Sequence, residues 1–183
     1  MFSFICFYYI KPLNFLNYKK IFLIESSHWL LILLFYAHFS FKLSTSYLLI
    51  MWITSFTLSI IDSFTLLVAT PFLYLSTVLT GILYFCYHPL TYQQFLLPAF
   101  LLCFFYLLDY FLPKSFGGGD VKILLTWSIF LTYQDMMWLL FISSLLGILF
   151  MLLYPPLTQR HVKKLPFVPF LTVALILVSL YFY

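Results

Sequence analysis

The chain has 183 residues, of which 64% are apolar, 23% aromatic and only 8% charged, with a net charge of +4 and a mean hydropathy of +1.08. A soluble domain is about 45–50% apolar and ~25% charged, so a water-soluble fold is excluded, and disorder is excluded because it requires low hydrophobicity as well. The composition is that of an integral membrane protein.

In chain order, the opening MFSFICFYYI lacks a basic n-region and a small-residue cleavage site, and lysines follow it. It reads as a membrane-edge segment, and residues 1–24 are expected to form a short cytoplasmic or interfacial stretch. Crossing the hydrocarbon as a helix takes roughly 20 apolar residues. On that length the predicted spans are about 25–41, 47–62, 66–87, 94–112, 120–133, 136–154 and 166–183. The second stops at Asp62, the third carries Pro71 near its start and Gly81 inside it, and the seventh opens on LPFVPF. Long apolar runs without period-2 alternation are helices, not barrel strands. The expected fold is an all-α, polytopic helix bundle of about seven transmembrane helices, forming one membrane-embedded domain over residues 1–183.

Lysine and arginine then orient it. If the segment before residue 25 is cytoplasmic, Lys11, Lys19, Lys20, Lys114, Lys122, Arg160, Lys163 and Lys164 fall on cytoplasmic flanks and Lys42 alone on the other side. This is the bias of the positive-inside rule, and adding or dropping one span would scatter it. The basic residues do not interleave with aromatics in polar segments, so no nucleic-acid partner is expected; the lipid bilayer is. The same topology brings Asp62, at the end of the second span, and Asp120, at the start of the fifth, to one face.

Residues 115–124 read SFGGGDVKIL, placing three of the chain's five glycines directly before Asp120. Glycine tolerates backbone angles closed to other residues and lets other chains approach, so GGGD describes either a carboxylate presented on a sharp turn or a plain turn with an N-capping aspartate. The other acids read more simply. Glu25 is placed at the start of the first span and Asp135 in an outer loop, both as interfacial residues. Asp109 lies in the last turn of the fourth span, with Lys114 as a partner, although an ionisable group inside a span is a functional candidate by default. Cys86 and Cys103 lie in apolar runs as small packing residues, and with Cys6 they make no CxxC or Cys/His ligand spacing. No metal or cofactor is expected. His28, His38, His88 and His161 are scattered and read as interfacial packing residues. There is no GxSxG and no HExxH. Two carboxylates held together share a proton, one acting as base and one as acid, and such a pair activates water without serine, cysteine or metal.

SFGGGDVKILL, with the upstream SIID, resembles the type IV prepilin peptidases, membrane aspartyl proteases of the GxGD type. Gly117, Gly118, Gly119 and Asp120 fit GxGD, and Val121 and Lys122 continue it. KKLPFVPFLTVALIL, residues 163–177, is similar to the family's C-terminal Leu-Pro-Phe-x-Pro-Phe segment. The likeness covers roughly residues 10–183 and is nearest to the small members that process pseudopilins for DNA uptake. It implies Asp62 and Asp120 as the catalytic pair, with Gly117 and Gly119 shaping the substrate's approach. It also implies a prepilin or pseudopilin precursor as partner, cut at the cytoplasmic face of a bacterial cell membrane. Family members usually open with a further helix and a loop bearing two CxxC pairs. The chain as given begins about where that loop ends, so a shortened N-terminus without S-adenosylmethionine-dependent N-methylation is expected. Pro71 stands nine residues after Asp62, farther than in the family pattern.

Two rival readings use the same residues. An ion-coupled transporter or channel would use Asp62, Asp109 and Asp120 near the membrane midplane as a relay. A truncated relative would keep the fold and cut nothing. Presenilin-like GxGD proteases share the chemistry, but their Tyr-Asp pair and Pro-Ala-Leu motif are missing.

Overall fold

A computed structural model describes residues 18–39, 43–112, 117–158 and 166–183. Cys6, Lys11, Lys42, Lys114, Arg160, His161, Lys163 and Lys164 lie outside the described residues. Among the described residues there are seven α-helices and no strand: α1 Tyr18–Phe39, α2 Ser46–Thr65, α3 Thr70–Tyr87, α4 Gln93–Phe111, α5 Gly118–Trp127, α6 Tyr133–Thr158 and α7 Val168–Phe182, with a 3-10 turn Leu43–Thr45 before α2. Four of them, α2, α3, α4 and α6, are long and apolar enough to cross a membrane, while Leu23–Phe39 and Val168–Phe182 are shorter apolar helices.

Two boundaries depart from the sequence reading. α1 begins at Tyr18, so Glu25 is an exposed residue two turns inside the helix and not at its N-terminus. The fifth span is a helix of only 10 residues, about 15 Å at 1.5 Å per residue, and it gives way to turns at 128–131. It still carries the chain from one end of the bundle to the other. Near its start Gly119 meets Val68, and just past its end the Phe130 ring lies 5.7 Å from Tyr84.

α2 is the centre of the bundle. It packs on α1, α3 and α7, and 11 of its 20 residues are buried. The hydroxyls of Thr54, Ser55 and Thr57 bond back to carbonyls of their own helix, which lets polar side chains sit in the core without an unmet donor. α7 lies antiparallel on α2. Its register is set by Val168 N–H to Asp62, Thr172 Oγ1 to the Ser55 carbonyl and Trp52 Nε1 to Ser179 Oγ, at 3.2, 3.0 and 2.8 Å. His28 is a packing residue: it is buried on α1, with ring nitrogens 2.7 Å from the Ile24 carbonyl and 3.2 Å from Thr57 Oγ1. Cys86 and Cys103 are exposed rather than packed.

The end remote from Asp62 is closed by a polar and aromatic cluster. Asp135, read from sequence as a loop residue, is buried in the first turn of α6. Its carboxylate accepts from Thr132 N–H and Thr132 Oγ1, while Thr132 Oγ1 accepts from Asp135 N–H, a reciprocal capping box. Tyr183 Oη–H adds a third bond at 2.9 Å and ties the end of α7 to the start of α6. Asp135→Ala is expected to cost about 2–3 kcal/mol through the lost cap and charge-assisted bonds, read as a lowered Tm in detergent.

The link from α2 to α3 is a turn at 66–69, not the start of a helix. Leu66 N–H closes it onto the Asp62 carbonyl at 2.8 Å. Leu66 has φ 54° and ψ 28°, and is the one residue other than glycine with positive φ among the described residues. That region costs an L-residue about 1–2 kcal/mol. Leu66→Gly is therefore expected to hold thermal stability or raise it by up to about 1 kcal/mol, while Leu66→Val lowers it.

Candidate active site

Asp62 stands in the last turn of α2, three residues before its end, and is 6% exposed. Burial of a carboxylate demands a partner, and the C-terminal motif provides one. Pro166 and Phe167 lead into α7, and Val168, its first residue, donates its N–H to Asp62 Oδ2. Pro169 has no N–H to give, and the amides of Phe170 and Leu171 turn back to the Phe167 carbonyl. LPFVPF thus leaves Val168 as the donor at the positive end of α7, aimed at Asp62.

Asp120 is the third residue of α5, half-buried, and follows Gly117 at the N-cap. The N-cap position belongs to Gly117 and not to Asp120, so the N-capping role left open by the sequence is not what Asp120 performs. Its backbone N–H reaches the Gly117 carbonyl at 3.0 Å, which makes it part of the first helical turn. Asp120 and Asp62 lie at the same end of the bundle, since Gly119, next to Asp120, meets Val68, six residues after Asp62.

The three glycines divide by steric role and not by backbone angle, since no glycine among the described residues has positive φ. A Cβ on Gly117 would stand 2.7 Å from Asp120 Oδ2. A Cβ on Gly119 would run into the Val68 side chain, with Val68 Cβ at 3.0 Å and Cγ2 closer still. Beside Gly118 nothing lies within 4 Å. The first and third glycines are spaces that the Asp120 carboxylate and the 66–69 turn occupy; the middle one faces open space.

Asp109 is exposed near the end of α4. No group of three or more His, Cys, Asp or Glu side chains able to hold a metal gathers among the described residues. Val68, Leu66 and the Val168 amide were missed by the sequence reading. Proline in the first turn of α7 was the available signal for the last of these, because it marks a helix start.

Apolar helices around one buried core define a helical membrane protein. Residues 47–152, more than half of the chain, match the type IV leader peptidase family, and the chain belongs to it. The matched stretch holds both Asp62 and Asp120. No curated protein and no solved structure matches the chain significantly.

Proposed function

We propose that this chain is a membrane aspartyl endopeptidase that removes the leader peptide of type IV prepilin-like or pseudopilin precursors, with Asp62 and Asp120 as its catalytic pair. The observation that carries the reading is the placement of these two acids at one end of the bundle, in the last turn of α2 and the first turn of α5, on segments that touch where Gly119 meets Val68. One carboxyl group holds a proton and the other takes one from water, which attacks the scissile carbonyl; the proton then passes to the leaving amine. The Val168 N–H holds the Asp62 carboxylate in place, and Gly117 leaves the Asp120 carboxylate its room. The open side of Gly118 gives an extended substrate backbone somewhere to lie.

The acids lie at the cytoplasmic face of a bacterial cell membrane in this reading, with the whole chain acting as one unit. The transporter reading needs its carboxylates near the midplane. Here Asp62 is one turn from the end of α2 and Asp120 stands in the first turn of α5, which favours the peptidase. Co-expression of the chain with a pseudopilin precursor tests it. The precursor is expected to shift on a gel by the mass of its leader, with the new N-terminus at the start of its hydrophobic helix. An unshifted precursor across a panel of such substrates would overturn the reading.

A further inference from the structure

We propose that Val68 is a positioning residue for the acid pair, fixing Asp120 relative to Asp62 by seating on Gly119. The inference rests on the peptidase reading above and adds to it a residue outside the GGGD segment.

The turn that leaves Asp62 is held at both ends. Leu66 N–H bonds the Asp62 carbonyl at 2.8 Å. Thr65 Oγ1 donates to the Ile61 carbonyl and accepts the Leu67 N–H at 2.8 and 3.2 Å. After Leu67 comes Val68, which packs against the hydrophobic core. At Ala69 the chain enters the core, 2% exposed, and its carbonyl accepts the Leu73 N–H as α3 begins. Val68 therefore sits on a short, anchored piece of backbone whose other end is the Asp62 turn of α2.

Against this piece lies Gly119, next in sequence to Asp120. The contact is made by a β-branched side chain, which has few rotamers through which to retreat. Rotation of Val68 would move Cγ2 but not Cβ, which already stands 3.0 Å from where a Gly119 Cβ would be. Even the Val68 backbone nitrogen is 3.9 Å from that point. Any side chain at 119 must push α5 and the turn apart, and with them the two acids. The third glycine and Val68 are thus one steric pair, which spans the gap between the segment carrying Asp62 and the segment carrying Asp120.

The test is rescue. Purified wild type, Gly119→Ala, Gly119→Ala/Val68→Ala and Gly119→Ala/Val68→Gly are compared for kcat and KM on a pseudopilin precursor, and for Tm. Gly119→Ala is expected to lose about 100-fold in kcat, the scale of an ångström-sized misplacement, with KM within about twofold. Both double variants are expected to recover kcat, and Val68→Gly further than Val68→Ala because it also removes the Cβ. Cleavage by wild type with no recovery in either double variant would overturn the Val68 proposal and leave the peptidase reading standing. So would a kcat that only follows Tm down and back, which would mark the contact as structural. If wild type cuts nothing, the peptidase reading fails instead. In that case Tm alone tells the contact apart: a fall in Gly119→Ala that Val68→Gly restores upholds it, and a fall that neither double variant restores overturns it.

Discussion

Asp62→Asn and Asp120→Asn are each expected to slow leader removal by at least about a thousandfold, the upper range for losing an acid–base group, at normal abundance and near-normal Tm. Asparagine keeps the shape of aspartate and a carbonyl oxygen, so in Asp62→Asn the side chain can still accept the Val168 N–H that Asp62 Oδ2 takes at 3.2 Å. Gly117, not Asp120, is the N-cap of α5, so an amide at 120 leaves the helix start unharmed. What each variant loses is the ability to hold or release a proton. Because the two groups act as a unit, the double variant is expected to be no slower than either single one. Asp109→Asn, on the exposed face of α4, is expected to stay within a few-fold of wild type. A loss confined to Asp120→Asn would move the partner's role to Asp109.

Gly117→Ala is expected to lose about 100-fold in kcat while the protein folds as wild type. The methyl group would stand 2.7 Å from Asp120 Oδ2, and the carboxylate is the softest thing it meets. It turns away, and the acid loses its aim on the substrate. The neighbouring Gly118→Ala has nothing within 4 Å to strike and, since alanine is the better helix former by about 1 kcal/mol, is expected to be as stable as wild type or slightly more so, with kcat within a few-fold and any loss confined to KM, because the methyl group intrudes only on the side where the substrate backbone lies. The contrast between adjacent glycines is the useful part. A segment needing only flexibility would respond to all three positions alike, whereas the geometry here separates 117 and 119 from 118. Measuring kcat, KM and Tm on the three alanine variants checks it.

The helices were legible because lipid-crossing segments announce themselves by length and hydropathy. α2, α3, α4 and α7 lie within a few residues of where composition puts them, and the positions of Asp62 and Asp120 at one end follow from counting crossings. α5 was drawn too long because hydropathy continues past Trp127 while the backbone turns at 128–131, and a turn inside an apolar run leaves no hydropathy signal. The beginning of α1 was drawn too late because its first turn, Tyr-Lys-Lys, is polar but helical. The GGGD segment stood out at once, yet the reason for its glycines did not. Sequence offered both unusual backbone angles and room for close approach; the structure has φ −67° at Gly117 and uses the missing Cβ atoms as space. What fills that space is decided by tertiary contact: Val68 is fifty-odd residues away in sequence and looks like any other apolar residue of the third predicted span. The same holds for Asp135, whose Thr-x-x-Asp spacing is the local signal of its bonds with Thr132, but whose other partner, Tyr183, is 48 residues on.

The most direct test of the central claim, that Asp62 and Asp120 together drive water onto a peptide bond, is a cleavage reaction in ¹⁸O-labelled water. Purified protein in liposomes is mixed with a pseudopilin precursor, and the leader is weighed by mass spectrometry. The expected result is a single cut ahead of the hydrophobic helix, one ¹⁸O in the new leader carboxylate with wild type, and no product with Asp62→Asn or Asp120→Asn. An intact precursor with wild type, or a labelled leader still formed by either variant at a wild-type rate, would contradict it.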